Sequence, residues 1–292
     1  MRVPVKPMPN APSPENPMGR EAERTEAGRQ GFDAVLDNLE FFLTRLRGLS
    51  CCRSVDLPGG GFCLFTGSDS ASENWVFRRG AAPDEEAVHA ALRFFGECAT
   101  TGEGAAPFIW PLPEGGGVLP RFGLPERGRL LAMSRGCVGP ADAPADGGVP
   151  EASFVPVLDE AGAERWAETM WQGFGAGPGA PGNLHVLVRG MRADGTLTLV
   201  TARIEGQDAG TFLLASAPSS PAAGVYYFAV PPRYRRRGVA TAMMAEILRI
   251  VRRGGKRQVL LQATPSGVPF YLAAGFGALG EIPLFSASDD VF

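Results

Sequence analysis

The sequence predicts an α/β fold in two parts, with a smaller α/β domain at the N-terminus, and three observations carry that expectation. Strand-like and helix-like stretches alternate from about residue 32 to residue 285. The run 138-VGPADAPADGGVPEA-152, rich in Gly, Pro, Ala and Asp and without periodic apolar residues, interrupts them and marks a domain boundary. Residues 1–31 carry prolines and mixed charge but almost no large apolar side chain, so they cannot bury enough surface to offset ordering entropy. The expected division is a disordered tail over 1–31, an N-terminal α/β domain over 32–137, a linker over 138–151 and a larger domain over 152–292.

In the first half, Phe32, Val35, Leu36, Leu39, Phe42, Leu43 and Leu46 follow helical spacing. The runs 61-GFCLFTG-67 and 73-ENWVFRR-79, separated by a polar Ser/Asp turn, read as a hairpin. A helix follows near 83–98, opened by Pro83 and three acids, then a strand at 107–112, a short helical piece before Gly123 and a strand at 129–134. The second half opens with a strand at 153–158, and Asp159 caps a helix reaching Phe174. Past the loop 175-GAGPGAPG-182 and a helix at 183–192, the runs 197–204 and 211–216 form an antiparallel pair. The remaining expectations are strand 225–230, helix 238–253, strand 258–263, helix 267–275 and strand 277–285.

Composition excludes several classes. A net charge of −3 argues against a general polyanion binder. The five cysteines contain no Cys-x-x-Cys and the two histidines, His89 and His185, lie far apart, so no metal site is expected. An odd cysteine count fits reduced thiols, and the absence of a signal-like start or a long apolar run points to a cytoplasmic protein without a membrane partner.

The most informative stretch is 231-PPRYRRRGVATAMMAEIL-248. Gly238 follows a strand and begins a helix, where unpaired backbone N–H groups point outward and the helix dipole is positive. Gly238 and the small Ala240 let an anion approach the backbone, while Arg235, Arg236 and Arg237 add charge at the same end. The arginines and Lys256 at the other end of this helix suit its negative pole, which makes nucleic acid an unnecessary explanation.

This segment resembles the Arg/Gln-x-x-Gly-x-Gly/Ala signature of the Gcn5-related N-acetyltransferase (GNAT) superfamily, with Arg235, Gly238 and Ala240 at its defining positions. Downstream, 271-YLAAGF-276 is similar to that family's Tyr-x-x-x-Gly-Phe. The resemblance covers about 152–290 and implies a mixed, mostly antiparallel sheet flanked by helices. It implies acetyl-CoA as co-substrate and an amine, small molecule or peptide, as acceptor. The backbone of Phe228, Ala229 and Val230 would pair with the pantetheine arm, and N–H groups from Arg236 and Arg237 through Gly238, Val239, Ala240 and Thr241 would hold the pyrophosphate. Tyr271 would protonate the leaving thiolate. With no cysteine after residue 137, direct transfer in a ternary complex is favoured over an acyl-cysteine.

Family members often place a Glu on the strand before the pyrophosphate loop, but here that strand is Tyr-Tyr-Phe-Ala-Val, leaving Glu205, His185 or a water chain as candidates for the base. The missing carboxylate keeps a non-catalytic acyl-CoA sensor as the alternative. Relatives usually add one more strand after the Gly-Phe strand, whereas only 286-SASDDVF-292 remains here, so the first domain is expected to cover or complete that sheet edge. The first domain itself resembles the degenerate leading copy of two-copy members through Asn74-Trp75, Pro107-Phe-Ile-Trp-Pro and 119–133.

Overall fold

The computed structural model describes residues 17–80, 82–99, 105–113, 116–137, 151–289 and 291. Its first helix, α1 (Pro17–Arg47), begins well before Phe32. The stretch 18-MGREAERTEAGRQG-31 has few groups to bury, yet Ala, Glu, Arg, Met and Gln propagate a helix readily once a packed segment nucleates it. Helix α1 thus runs through 17–31 of the expected tail, while 1–16 lie outside the described residues, as does the expected linker apart from Glu151. The packed part of α1 buries Val35, Leu39, Phe42, Leu43 and Leu46.

Three short strands follow, β1 (Arg53–Asp56), β2 (Phe62–Phe65) and β3 (Trp75–Phe77), paired antiparallel in that order. A 3-10 turn at Ala71–Glu73 joins the last two, and the buried Asn74 locks it. The Asn74 amide donates to the carbonyls of Ser68 (2.8 Å), Ser70 (3.2 Å) and Pro107 (2.8 Å), and its Oδ1 accepts from the Thr66 N–H at 3.0 Å. Losing these bonds would strand several buried backbone groups. Asn74→Ala is expected to cost about 2–4 kcal/mol, read as a lower urea midpoint at unchanged slope.

Helix α2 (Glu85–Cys98) is capped by Asp84, which accepts from the Ala87 N–H at 2.8 Å, and buries Val88, Ala91, Phe94 and Phe95. Strand β4 (Trp110–Pro111) is shorter than the apolar run promised, since Pro111 has no N–H to extend a ladder. Strand β5 (Glu126–Gly136) is longer than expected.

The second half runs β6 (Ala152–Pro156), α3 (Glu160–Gly173), α4 (Gly182–Ala193), β7 (Leu197–Ile204) and β8 (Gln207–Ala215). It ends with β9 (Ala222–Ala229), α5 (Val239–Arg253), β10 (Gln258–Ala263), α6 (Val268–Ala273) and β11 (Gly277–Phe285). Asp159 caps α3 as expected, accepting from the Gly162 N–H at 2.6 Å. Glu205 (φ 51°) and Gly206 (φ 76°) turn β7 into β8 with the two left-handed residues that a tight hairpin requires.

Eight strands form one mostly antiparallel sheet in the order β4-β11-β5-β10-β9-β8-β7-β6, and only β9–β10 is a parallel pair. The sheet crosses the boundary seen in the composition. Strand β5, from the first half, sits between β10 and β11 and pairs antiparallel with both, from Gln258↔Gly136 to Ala263↔Leu131 on one side and from Gly277↔Ser134 to Phe285↔Glu126 on the other. The edge left by the short C-terminus is thus completed by the N-terminal half. On one face α1, α3 and α4 share a core containing Phe42, Leu43, Trp166, Met170, Leu187 and Met191. On the other, Val239, Met243, Ile247 and Val251 of α5 pack on β8, β9 and β10.

Candidate functional site

Strands β9 and β10 pair only at Gln258↔Ala222, Val259↔Ala223 and Leu260↔Gly224. Past those residues they part, although β9 continues to Ala229 and β10 to Ala263. The facing backbone edges are left to bond something else, which makes the gap a slot for an extended, amide-bearing chain. On its opposite edge β9 is bulged: Tyr226 faces Leu213 but Ala229 faces Thr211, so three steps on β9 match two on β8. Tyr227 occupies the bulge at φ 48°, its carbonyl accepting from Thr211 Oγ1 at 3.2 Å. The bulge breaks the strand's alternation. Tyr226 and Tyr227 both face the α1–α3 core, whereas Phe228 and Val230 face α5 and α6.

Beyond Val230 a 3-10 turn (Pro232–Tyr234) leads to Arg236 at φ 59° and Gly238 at φ 77°. Gly238 is the N-cap of α5 and provides no side-chain cap. The first intrahelical bond runs from the Ala242 N–H to the Gly238 carbonyl at 3.0 Å, so the N–H groups of Val239, Ala240 and Thr241 precede the ladder. Val239 is buried and anchors the turn, while Arg236, Arg237 and Thr241 are exposed. The result is a cradle of backbone donors at the positive pole of a helix, suited to a pyrophosphate.

The arginines divide the work. Arg235 Nε donates to the Val230 carbonyl at 3.0 Å and its NH2 to the Gly173 carbonyl at 2.9 Å, so this side chain braces the loop against the end of α3. Gly173 itself has no room for a Cβ, which would lie 2.6 Å from Ala229 Cβ. Arg233 and Arg237 lie over the Tyr234 ring at 5.0 and 5.6 Å.

Tyr271 stands on α6 with its ring among Phe228 (5.9 Å), Phe270 (5.2 Å) and Phe276 (5.6 Å). Burial pushes its hydroxyl well above the usual tyrosine value. Among the described residues nothing hydrogen-bonds that hydroxyl. The contact with Phe228 puts Tyr271 beside the slot, and Arg235 ties Val230 to the anion loop, so the expected cofactor residues converge on one line.

The two candidate bases do not join them. Glu205 is exposed at the β7–β8 hairpin tip, and His185 faces Glu168 across α3 and α4. Nor is the loop 175–182 wholly free: the Glu168 carboxylate accepts from the N–H groups of Gly179 (3.0 Å) and Ala180 (2.7 Å). A carboxylate does reach β9, however, from the other half of the chain. The Tyr227 hydroxyl donates to Glu73 at 2.9 Å, a contact no local spacing reveals.

Residues 215–279 match the family model of an acetyltransferase (GNAT) domain. That segment is GNAT-like. The matched segment contains β9, the anion loop, α5, β10 and Tyr271. Two solved structures share the fold. One, described as a GCN5-related N-acetyltransferase from Kribbella flavida, has a TM-score of 0.57 at 14% identity over 86% of this chain and 95% of that one. The other, a functionally unknown conserved protein from Staphylococcus epidermidis, has a TM-score of 0.56 at 11% identity over 80% and 93%. Both likenesses extend beyond the matched segment, so the fold they share includes much of the N-terminal part. No curated protein matches the chain. Among the described residues no helix is long and apolar enough to cross a membrane, and no cluster of His, Cys, Asp or Glu could hold a metal ion.

Proposed function

We propose that this GNAT protein moves an acetyl group from acetyl-CoA to a primary amine by direct attack in a ternary complex. The observation that carries the reading is the convergence of the open β9–β10 slot, the Gly238 cradle and Tyr271. Phe228, Ala229 and Val230 would offer backbone bonds to the pantetheine arm, and an N–H there would polarise the thioester carbonyl where oxyanion charge develops. Backbone N–H groups from Arg236 through Thr241 would hold the pyrophosphate, with Arg236 and Arg237 adding charge and Arg235 fixing the loop.

Tyr271 would act on the departing sulfur. Its raised pKa keeps the proton in place, so it supplies a hydrogen bond that becomes proton transfer only as thiolate charge grows. Tyr271→Phe is expected to lower kcat roughly 100-fold with little change in acetyl-CoA affinity. The pH–rate profile should show no decline from Tyr271 ionisation below about pH 10, the unshifted phenol value.

A cysteine from the first half does approach the bulge, since Cys52 acts electrostatically on Tyr227. Burial, reinforced by Cys51, pushes its thiol far up, which leaves it protonated and a poor nucleophile and so supports direct transfer. The second reading, an acyl-CoA sensor, rests on the absence of a carboxylate from β9 itself. Calorimetry with acetyl-CoA beside a thiol-release assay over a panel of amines separates the two. Turnover on any primary amine supports the enzyme; tight binding with none supports the sensor.

A further inference from the structure

Glu73 is an expensive residue to keep where it is. It ends the 3-10 turn between β2 and β3, and burial drives its carboxyl above the ordinary carboxylate range, partly offset by the hydrogen bond from Tyr227. Among the described residues no cation pairs with it, so a charge in this position is stabilised by one phenol alone. Unpaired, half-buried carboxylates destabilise a fold, and they recur where a group must bind or move a proton.

Its surroundings make it a receiving site rather than a packing accident. The Asn74 amide fixes the 66–74 loop through bonds to Thr66, Ser68, Ser70 and Pro107, so the neighbouring Glu73 is held on a rigid support. Tyr227 is equally fixed, by its left-handed backbone in the β9 bulge and by edge contacts with Trp166 (5.9 Å) and Phe42 (6.1 Å). The same loop approaches the start of α4, where a Cβ on Gly67 would lie 3.6 Å from that of Asn183. Glu73 therefore sits on the α3–α4 side of the sheet, opposite the α5–α6 side on which Phe228 meets Tyr271. Tyr227 adjoins Phe228 in the chain, so the phenol that holds Glu73 is one residue from the backbone assigned to the thioester.

We propose that Glu73, delivered by the N-terminal half and held by Tyr227, receives the acceptor and takes the proton from its ammonium group, which makes a cationic primary amine the substrate class. The inference rests on the acetyltransferase reading. The reaction balances as follows. Glu73 removes one proton from the ammonium, freeing the nitrogen lone pair, and passes it to solvent. The nitrogen attacks the thioester carbon, the C–N bond forms, and the C–S bond breaks with its electron pair on sulfur. Nitrogen gives up a second proton, again through Glu73 to solvent, while sulfur takes one from Tyr271, which solvent reprotonates, so that amide, free thiol and one net proton leave. An amine with a pKa of about 10 arrives protonated at neutral pH, so a base already at the site removes a real obstacle. A carboxylate also attracts the cation before deprotonating it, a task neither Glu205 nor His185 is placed to perform.

The titratable groups facing Glu73 are Tyr227 on β9 and, behind it, Cys52 after α1. A base works deprotonated, so activity should rise with pH through the Glu73 pKa, above the usual carboxylate range of about 4.3. The test uses the full chain, acetyl-CoA and a primary amine that the unaltered protein acetylates. Glu73→Gln should lower kcat/KM for the amine at least roughly 100-fold, remove the acidic limb of the pH–rate profile and leave acetyl-CoA affinity within about twofold. Glu73→Asp should recover part of the rate. Tyr227→Phe should move the limb to higher pH, because the lost hydrogen bond favoured the charged carboxylate.

If the unaltered protein is active while Glu73→Gln matches it in rate and pH profile, the assignment of Glu73 is wrong and the acetyltransferase reading stands. If Glu73→Gln does not fold, Tyr227→Phe decides: a shifted limb supports the assignment and an unmoved one overturns it. If the unaltered protein acetylates no amine, both readings fall together.

Discussion

A Gly238→Val protein is expected to fold normally and to lose acetyl-CoA binding by at least roughly 100-fold. Gly238 holds φ at 77°, a region where an L side chain costs about 1–2 kcal/mol and a β-branched one more. Valine would relieve that strain by twisting the turn, which moves the N–H groups of Val239, Ala240 and Thr241 off a common focus. Charge-assisted bonds to an anion contribute about 1.5–3 kcal/mol each, and a hundredfold loss corresponds to about 2.7 kcal/mol, so misplacing one or two donors is enough. Stability should suffer less, because the helix behind is anchored by Val239, Met243, Ile247 and Val251. Arg236→Gly is the informative control. It keeps the N–H and tolerates the φ of 59°, removing only an exposed charge, and should weaken binding a few-fold, less at high salt. Calorimetry with acetyl-CoA, paired with thermal melts, reads both variants; unchanged affinity in Gly238→Val would refute the backbone cradle.

That cradle was legible in the sequence because everything that makes it is local. A strand, a glycine at the turn, a small residue two positions on and an amphipathic helix stand consecutively, and each physical requirement falls on a particular residue. Tyr271 was legible for the same reason, its helix and the Gly-Phe that follows being one short segment. The arginines were harder. Their number pointed to charge, but Arg235 spends its guanidinium on the Val230 and Gly173 carbonyls, and only the position of α3 reveals it. The bulge at Tyr227 left no mark, since 225-VYYFAV-230 reads as a buried strand and nothing in it demands a left-handed tyrosine; the register of β8 imposes that. Glu73 was invisible for a stronger reason. Its partner is 154 positions away, and a polar residue in a Ser/Asp-rich turn looks like any solvated turn residue until the two halves are brought together.

The partnership of the halves makes the other large prediction. A fragment of residues 152–292 keeps the whole expected cofactor site, yet it should be insoluble. Without β5 the strands β10 and β11 run parallel with a vacant strand position between them, and each loses its antiparallel partner: six residue pairs on β10 and a longer ladder on β11. An unsatisfied buried backbone group costs about 1–3 kcal/mol, so a few of them consume the 5–15 kcal/mol by which a domain is stable. The exposed edges would instead recruit other chains. Two further experiments distinguish a missing strand from a merely damaged fragment. Supplying residues 1–137 in trans should restore soluble material, because β5 needs only to be seated and not to be covalently continuous with β6. In the intact chain Met133→Asp, which buries a carboxylate where Met133 has no exposure, should cost about 3–5 kcal/mol and lower soluble yield sharply. A soluble, monomeric 152–292 fragment with the acetyl-CoA affinity of the full chain would show that the C-terminal half closes its own sheet. The opposite result would mean that the N-terminal half is a structural part of the cofactor domain through β5, as well as the source of Glu73, and that neither role survives separation.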